Sequence, residues 1–252
     1  MPQGLGTQLG LGGGRSATSS GAAPSSGFAN TYSCAFDGSD DYMIVAASSD
    51  FSFGTGNFSL NFWFKMNNIG SGATAYYPLL DLRPGGSDTA PSFYISNHSG
   101  YRFYVWSGSG VIANYNTTPA AGEWHHGAYT RDGTTGTVYL NGSSVASGTD
   151  NTNYNTSTPA PRTGGPPPSV YGSYLDGLID ELAIFSSALS SSDVTAIYNS
   201  GVPDDLSSYS PLGWWRMGDV NGASGTTITD QGSGGNNGTL TNGPTYSTDV
   251  PS

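Results

Sequence analysis

The sequence carries little charge, and little of that charge is basic. Charged residues make up 10% of its 252 residues, and 7 Lys and Arg against 18 Asp and Glu give a net charge of −11. Binding to nucleic acid or to an anionic membrane depends on a basic surface that neutralises phosphates. We therefore predict no nucleic acid and no membrane among its partners. The scarcity of Glu, Lys and Arg also disfavours long surface helices.

Paired cysteines and long apolar runs are also missing. Cys34 is the single cysteine, which excludes an intrachain disulfide. Its place on an apparent strand predicts a small buried residue rather than a reactive thiol. No apolar stretch approaches the ~18 residues that a membrane span needs. The N-terminus shows neither the basic nor the apolar region of a secretion signal, so we expect synthesis in a cytosol without export.

Aromatic and turn-forming residues are abundant instead. Aromatics reach 12% and Gly numbers 38, a balance that favours many short strands joined by tight turns. Phe58–Met66 gives the clearest strand, because its apolar residues alternate and Trp63 points to the opposite face. Ser190–Tyr198 is the one helix candidate, with Ser190 as its cap and Gly201 closing it. The pattern predicts an all-β fold, a two-sheet antiparallel β-sandwich with one short helix.

Composition divides the chain into three parts. Residues 1–30 are rich in Gly and Ser and cannot bury enough surface to order themselves, so we predict a flexible N-terminal arm. Residues 31–205 hold the sandwich, with an exposed Pro-rich loop over 150–169. Residues 206–252 form a C-terminal segment that is too short for a core of its own. We predict that this segment completes the sandwich, and docking on a neighbour is the alternative.

Five motifs follow one another along residues 31–202. They are FDGSDDY at 36–42, FSLNFWF at 58–64, GEWHH at 122–126 with VYLNG at 138–142, DGLIDELAIF at 176–185, and the helix that follows with Leu189, Val194 and Ile197. In this order they resemble the laminin-G-like jelly-roll family of concanavalin-like sandwiches. An element over 214–240 is similar to one that precedes the first motif in many members, and here it follows the last strand.

The resemblance makes glycoside hydrolysis the enzyme hypothesis to examine, since concanavalin-like sandwiches host glycosidases. That reaction needs two carboxylates that face each other across a cleft. Asp180 and Glu181 are neighbours on a strand and are therefore expected on opposite faces. The same holds for His125 and His126, and no spacing typical of a zinc site is present. We predict that the protein is not an enzyme.

A structural calcium site is the one cofactor prediction. Asp37, Asp40 and Asp41 gather beside a glycine turn, and calcium prefers several carboxylate and carbonyl oxygens from adjacent loops. The resemblance places the strand of Asp180 and Glu181 near this turn, so these residues are added as candidate ligands. The alternative is an Asp-rich turn beside a hydrogen-bonded acid pair.

Five aromatic residues are candidate ligand-binding residues: Trp63, Tyr76, Tyr77, Tyr115 and Tyr154. Aromatic faces stack on sugar rings, and Asn or Asp side chains bind the hydroxyls. Tyr is equally enriched at protein interfaces, so the sequence leaves both kinds of ligand open.

Two functions remain open at this point. A Gly- and Ser-rich arm, an adhesive type of sandwich and no catalytic set resemble accessory structural proteins of tailed bacteriophages. This predicts a capsid decoration, fibre or knob protein on the virion surface, made in the host cytoplasm. We expect it to bind other virion or surface proteins through the arm, as an oligomer or part of a larger assembly. The alternative is a free or cell-surface lectin-like module that binds cell-surface glycan.

Overall fold

The computed structural model describes residue 1 and residues 28–70, 76–86, 89–98, 101–156 and 158–252. Residues 2–27 of the predicted arm lie outside the described residues, so its flexibility stays a prediction. The strands are β1 Ser33–Asp37, β2 Tyr42–Val45, β3 Phe58–Met66, β4 Tyr76–Asp81, β5 Ser92–His98, β6 Tyr101–Trp106, β7 Val111–Tyr115, β8 His125–Asp132, β9 Thr135–Leu140, β10 Ser143–Thr149, β11 Arg162–Thr163, β12 Asp176–Phe185, β13 Gly213–Trp215, β14 Thr227–Ile228, β15 Gly238–Thr241 and β16 Thr245–Ser247.

These strands form two antiparallel sheets. Sheet A has the order β10-β9-β8-β3-β12-β1-β16, with β13 paired to β12, and sheet B has the order β14-β15-β2-β11-β4-β5-β6-β7. One α-helix, α1, spans Ser191–Tyr198, and short 3-10 turns span Ser49–Phe51, Asn199–Gly201 and Ser207–Tyr209. The prediction of an all-β, two-sheet antiparallel sandwich with one short helix is confirmed. Among the described residues, no helix is long and apolar enough to cross a membrane.

The main core lies between the two sheets. In β3 the apolar residues alternate as predicted and enter this core, where the ring of Phe62 meets Phe93 edge-on at 5.0 Å. Phe64 stacks on Phe103 at 5.6 Å in the same layer. Burying each phenylalanine stabilises the fold by roughly 1.5–3 kcal/mol. The core therefore fixes which side chains of each sheet point inward and which point to its outer face.

Helix α1 covers the outer face of sheet A. Its first turn is held by a capping box, in which Ser190 Oγ accepts from the Asp193 N–H at 3.2 Å and Asp193 Oδ2 accepts from the Ser190 N–H at 2.9 Å. Val194 and Ile197 are buried against a second, smaller apolar cluster on this face. The helix ends at Asn199, which adopts a left-handed φ of 43°, and not at the predicted Gly201.

The C-terminal strands belong to both sheets of this chain. In sheet A, β13 pairs with β12 and β16 pairs with β1, while in sheet B, β15 lies between β14 and β2. The Pro-rich stretch over 150–169 is not a continuous exposed loop as predicted, because β11 lies inside it. Strand β11 pairs with β2 on one side and with β4 on the other. Its Arg162 also stacks on the ring of Tyr42 at 3.9 Å.

Candidate functional site

A pocket of about 400 Å³ opens on the outer face of sheet B. Because Phe93 and Phe103 point into the core, the alternate residues of β5 and β6 point outward. The result is an outer face of aromatic side chains. We define the aromatic pocket by six of the residues that line it: Tyr76, Arg83, Tyr94, Tyr104, Trp106 and Tyr171.

A buried ion pair forms the floor of the aromatic pocket. Asp81, at the end of β4, is fully buried and accepts from Arg83 Nε at 3.0 Å and from Arg83 Nη2 at 2.6 Å. It also accepts from Ser92 Oγ at 2.7 Å and from the Tyr94 hydroxyl at 2.9 Å. Burial disfavours the charge of Arg83, but the hydrogen bonds and charge of Asp81 outweigh it and raise the pKa of the guanidinium. Burial, followed by the Asp81 charge, raises the pKa of Tyr94 well above its usual value.

The aromatic residues that line the pocket differ in burial and in hydrogen bonding. Tyr94 and Tyr104 stack nearly parallel, with ring centroids 5.5 Å apart, and both are buried. Trp106 is half-buried, and its indole N–H makes no hydrogen bond to any described residue. Tyr171 is 66% exposed and meets Tyr76 edge-on at 6.3 Å. Trp106 therefore offers both an apolar face and a free donor to the pocket.

The loop over 166–172 contributes residues 169–171 to the rim of the aromatic pocket. Ser169 adopts a left-handed φ of 62°, and its carbonyl oxygen comes very close to Gly86. A Cβ atom on Gly86 would lie only 2.6 Å from that oxygen, so the approach of these two loops requires glycine. This contact places Tyr171 beside the strands of sheet B.

A family model described as Laminin G 3, of the concanavalin A-like lectin/glucanases superfamily, matches residues 37–195, more than half of the chain. The chain belongs to this family. The described strands β13 to β16 lie beyond the matched range, so this laminin-G-like sandwich also uses residues that follow it. No curated protein gives a significant match.

Solved structures share the laminin-G-like fold at low identity. A candidate carbohydrate-binding protein from Bacteroides ovatus has a TM-score of 0.61 and 16% identity, and the match covers 88% of this chain and 61% of that one. A Trypanosoma rangeli sialidase in complex with 2,3-difluoro-KDN has a TM-score of 0.50 and 16% identity, with 68% and 27% covered. This chain thus spans less than two thirds of either protein, and the likeness shows the fold alone.

Two predicted ligand-binding residues are buried. Trp63 is 2% exposed and packs between His126, at 5.1 Å, and Tyr198 of α1, at 5.8 Å. Tyr154 is 1% exposed and donates its hydroxyl to Asp150 at 3.0 Å. The sequence interpretation of these two residues as ligand contacts is wrong, because α1 covers Trp63 on the outer face of sheet A, while Tyr154 packs into the main core, where its ring meets Phe58 edge-on at 5.5 Å.

The other three predicted ligand-binding residues have different positions. Tyr76 lies in the aromatic pocket. Tyr77 points into the core and accepts the Gly70 N–H on its hydroxyl at 3.1 Å, so it is not available to a ligand. Tyr115 is half-buried against the core at the end of β7 and is not among the pocket residues. The structure therefore brings one of the five predicted residues to the pocket.

Sequence reasoning missed most of the aromatic pocket. Tyr94, Tyr104 and Trp106 occupy outward positions in two strands whose inward-facing residues include core Phe, Ile and Val. A half-exposed antiparallel strand normally shows polar residues at such positions. Aromatic residues on both faces of consecutive strands were the signal that could have revealed the site. Arg83 and Tyr171 carried no comparable signal, since loops deliver them.

Asp180 and Glu181 do not point to opposite faces, which corrects the sequence prediction. A β-bulge interrupts the pairing of β12 with β3 here, and Glu181 has a φ of 45°. Glu181 accepts from Trp214 Nε1 at 2.6 Å and from Arg216 Nε at 3.0 Å on the outer face. Burial raises the pKa of Glu181 to about 7, and burial together with the Glu181 charge raises the pKa of Asp180.

The same residues anchor the start of the described chain. Asp180 Oδ2 accepts from Asn30 Nδ2 at 3.0 Å, and Asp219 Oδ1 accepts the backbone N–H groups of residues 31 and 32. The guanidinium of Arg216 lies 4.0 Å from the ring of Phe28. We call Asp180, Glu181, Arg216 and Asp219 the Arg216 cluster. Its contacts show a structural role on the outer face of sheet A.

The predicted calcium ligands divide into two separate groups. Oxygen atoms of Asp37, Asp40 and Asp41 lie within 4.8 Å of one another, and carboxylates at this spacing suit a calcium ion. Burial, followed by the charges of Asp37 and Asp40, raises the pKa of Asp41 although a backbone hydrogen bond opposes it. These three residues fit part of a calcium shell, which needs six or more oxygens in all.

Asp180 and Glu181 cannot join that group. Asp37 pairs with Asp176 on β12, and Asp180 lies four residues further along the strand. At about 3.3 Å per residue this separates the two sites by roughly 13 Å. The prediction that they share one ion is therefore wrong, while the Asp37–Asp40–Asp41 turn stays a calcium prediction.

Proposed function

We propose that the protein is a non-catalytic carbohydrate-binding module that holds a sugar in the aromatic pocket. The observation that carries this proposal is Trp106, a half-buried indole at the wall of a cavity of about 400 Å³, whose N–H makes no hydrogen bond to a described residue. Pockets of this volume suit small organic ligands, and convergent aromatic faces with few polar groups are typical of them. The apolar face of a sugar ring would stack on Trp106 while hydroxyls meet the indole N–H and Arg83.

The distribution of carboxylates supports binding without hydrolysis. Hydrolysis of a glycosidic bond needs two carboxyl groups that reach the substrate. Asp81, beneath the pocket, is fully buried and hydrogen-bonded to Arg83, Ser92 and Tyr94. Asp180 and Glu181 are buried on the other sheet. None of these carboxylates is placed to act on a sugar in the pocket.

The comparisons agree with this proposal at the level of the fold. The family belongs to a superfamily described by its lectins and glucanases, and the Bacteroides ovatus protein is a candidate carbohydrate-binding protein. We extend that description to this chain on the strength of the aromatic pocket, since similarity of fold alone does not carry function.

The test compares two tryptophans by glycan microarray and isothermal titration calorimetry. Trp106→Ala should weaken the binding of the glycan selected on the array by about 10- to 100-fold, the range of a central aromatic contact. Trp124→Ala is the matched control, because Trp124 is also half-buried but donates to Asp249 at 2.8 Å outside the pocket. An array without signal, or equal loss in both variants, would overturn the proposal.

The virion role predicted from the sequence stays a prediction. A glycan-binding sandwich displayed on a particle surface would join the two sequence hypotheses, with residues 1–30 as the contact to other virion or surface proteins. Mass spectrometry of purified particles checks this role, and absence of the chain from them would contradict it.

A further inference from the structure

We infer that the aromatic pocket selects neutral sugars over anionic ones, because Asp81 already neutralises Arg83, the one charged residue among the described residues that line the pocket. This inference rests on the proposed carbohydrate-binding function and names the ligand class of the same site.

The geometry of the ion pair carries the inference. Arg83 Nη2 lies 2.6 Å from Asp81 Oδ2 and Arg83 Nε lies 3.0 Å from Asp81 Oδ1, so the guanidinium bonds both carboxylate oxygens. The side chains are 7% and 0% exposed. Two parallel charge-assisted bonds of this kind hold the guanidinium in one orientation. The two formal charges at the floor of the pocket cancel.

The partners of Asp81 also resist exchange for another anion. Asp81 accepts from Arg83, Ser92 and Tyr94 at the same time. A sugar carboxylate that drew Arg83 away would leave Asp81 buried and short of a partner. A buried charge without its partner is strongly unfavourable, so the ion pair resists this exchange.

One nitrogen of Arg83 has no hydrogen-bond partner among the described residues and could serve a neutral ligand. Nε and Nη2 bond to Asp81, and Nη2 also contacts the Tyr94 hydroxyl, while Nη1 makes no hydrogen bond to a described residue. With the Trp106 indole N–H, the pocket therefore offers two kinds of N–H donor and a neutral floor. Sugar hydroxyl and ring oxygens accept such bonds without bringing a charge.

The rest of the molecule adds to this preference. The other described residues that line the pocket are aromatic, aliphatic or small and uncharged. The whole chain has a net charge of −11, which repels an approaching anion at low ionic strength.

The first experiment is a glycan microarray that carries neutral glycans beside their sialylated or uronic-acid counterparts. We expect signals on neutral members that exceed those on acidic counterparts by about tenfold or more, since an unpaired buried charge costs several kcal/mol. Signals confined to acidic members would overturn the inference and leave the proposed function standing. An array without any signal would overturn the proposed function, and the inference with it.

The second experiment changes the charge of the floor. Asp81→Asn keeps the shape but frees the charge of Arg83, and it should create salt-sensitive binding to glycans that end in glucuronic acid. Ser92→Ala is the matched control, because it removes a hydrogen bond to Asp81 without changing a charge. No gain in Asp81→Asn, or an equal gain in both variants, would contradict the inference.

The third experiment measures glycan binding by the wild-type protein at different salt concentrations, so it does not depend on the folding of a variant. Salt screens charge–charge attraction over the range from about 20 mM to 500 mM NaCl. A neutral glycan on a neutral floor has no such attraction to lose, so the affinity for the neutral glycan selected on the array should change less than about twofold over this range. A steep loss of affinity with salt would show that charge drives binding and would overturn the inference.

Discussion

The outer faces of the two sheets carry similar ion pairs in different surroundings. Each carries a buried Arg–carboxylate pair, Arg216 with Glu181 on sheet A and Arg83 with Asp81 on sheet B. Helix α1 and residues 28–32 cover the face of sheet A, whereas the face of sheet B around β4 to β6 opens into the aromatic pocket.

The two ion pairs differ in the number of carboxylates per arginine and in the residues that surround them. Two carboxylates, Glu181 and Asp219, share Arg216. Oxygens of Asp219 and of the neighbouring Asp180 also accept from the backbone and from Asn30. On sheet B the ratio is one to one, and the neighbours are aromatic rings. On sheet A, the additional carboxylate oxygens hold residues 30–32 through hydrogen bonds. On sheet B, the neutral Arg83–Asp81 pair lies below an open pocket with room for a neutral ligand.

The largest expected effect comes from removing the arginine of sheet A. Arg216→Met leaves Glu181 and Asp219 without their cation, and it should lower the free energy of unfolding by about 3–5 kcal/mol. Urea unfolding measures this, and binding at the aromatic pocket should be retained. Lys65→Met is the control, since the Lys65–Asp249 pair is more exposed and should cost less than about 1 kcal/mol. Equal losses of unfolding free energy in the two variants would contradict the expectation that the Arg216 pairs contribute more than the exposed Lys65–Asp249 pair.

A second prediction uses pH on the covered face. The pKa of Glu181 rises from 4.5 to about 7 through burial, so the folded state holds an extra proton in this window and stability falls as pH rises through it. Burial lowers the pKa of His126 from 6.5 to about 3, so stability from this residue falls as pH drops below 6.5. The pKa of Asp180 is also raised, so its contribution to stability also falls as pH rises. The contributions of the acids and of His126 therefore oppose each other between about pH 4.5 and 6.5.

Substitutions separate these two slopes. Glu181→Gln should make stability fall more steeply on acidification below pH 6.5, by up to about 1.4 kcal/mol per pH unit. His126→Gln, which can still donate to Asn61 Oδ1, should change the slope in the opposite direction. Thermal unfolding between about pH 4.5 and 8 records both slopes. Parallel curves for the wild type and Glu181→Gln would contradict the role assigned to Glu181.

The smallest expected effect concerns carboxylates that have no arginine at all. Asp37, Asp40 and Asp41 form no salt bridge with a described residue, so a calcium ion would supply the missing charge. Calcium at about ten times its dissociation constant should add about 1.4 kcal/mol to the free energy of unfolding. Thermal unfolding with CaCl₂, with MgCl₂ and after EDTA measures the shift. Asp41→Asn should reduce the shift, and an unchanged response in this variant would place the ion elsewhere.

Strand alternation predicted the core well and the outer faces poorly. Phe62 and Phe64 enter the core as their spacing requires, because the sheet period is fixed by the backbone. Trp63 obeys the same alternation, yet the sequence could not show that α1 lies over it. Glu181 departs from alternation because a bulge adds one residue to β12 at that point. Neither feature leaves a clear local signal.

The sequence by itself determined a laminin-G-like sandwich, its inward-facing residues and the absence of a basic surface, since these follow from alternation, turn residues and composition. Only the tertiary structure decided where a ligand can bind. The aromatic pocket joins residues that lie as far apart as Tyr76 and Tyr171, and its neutral floor depends on the meeting of Asp81 with Arg83. Contacts of this range arise from the packing of strands and loops, which local patterns do not encode.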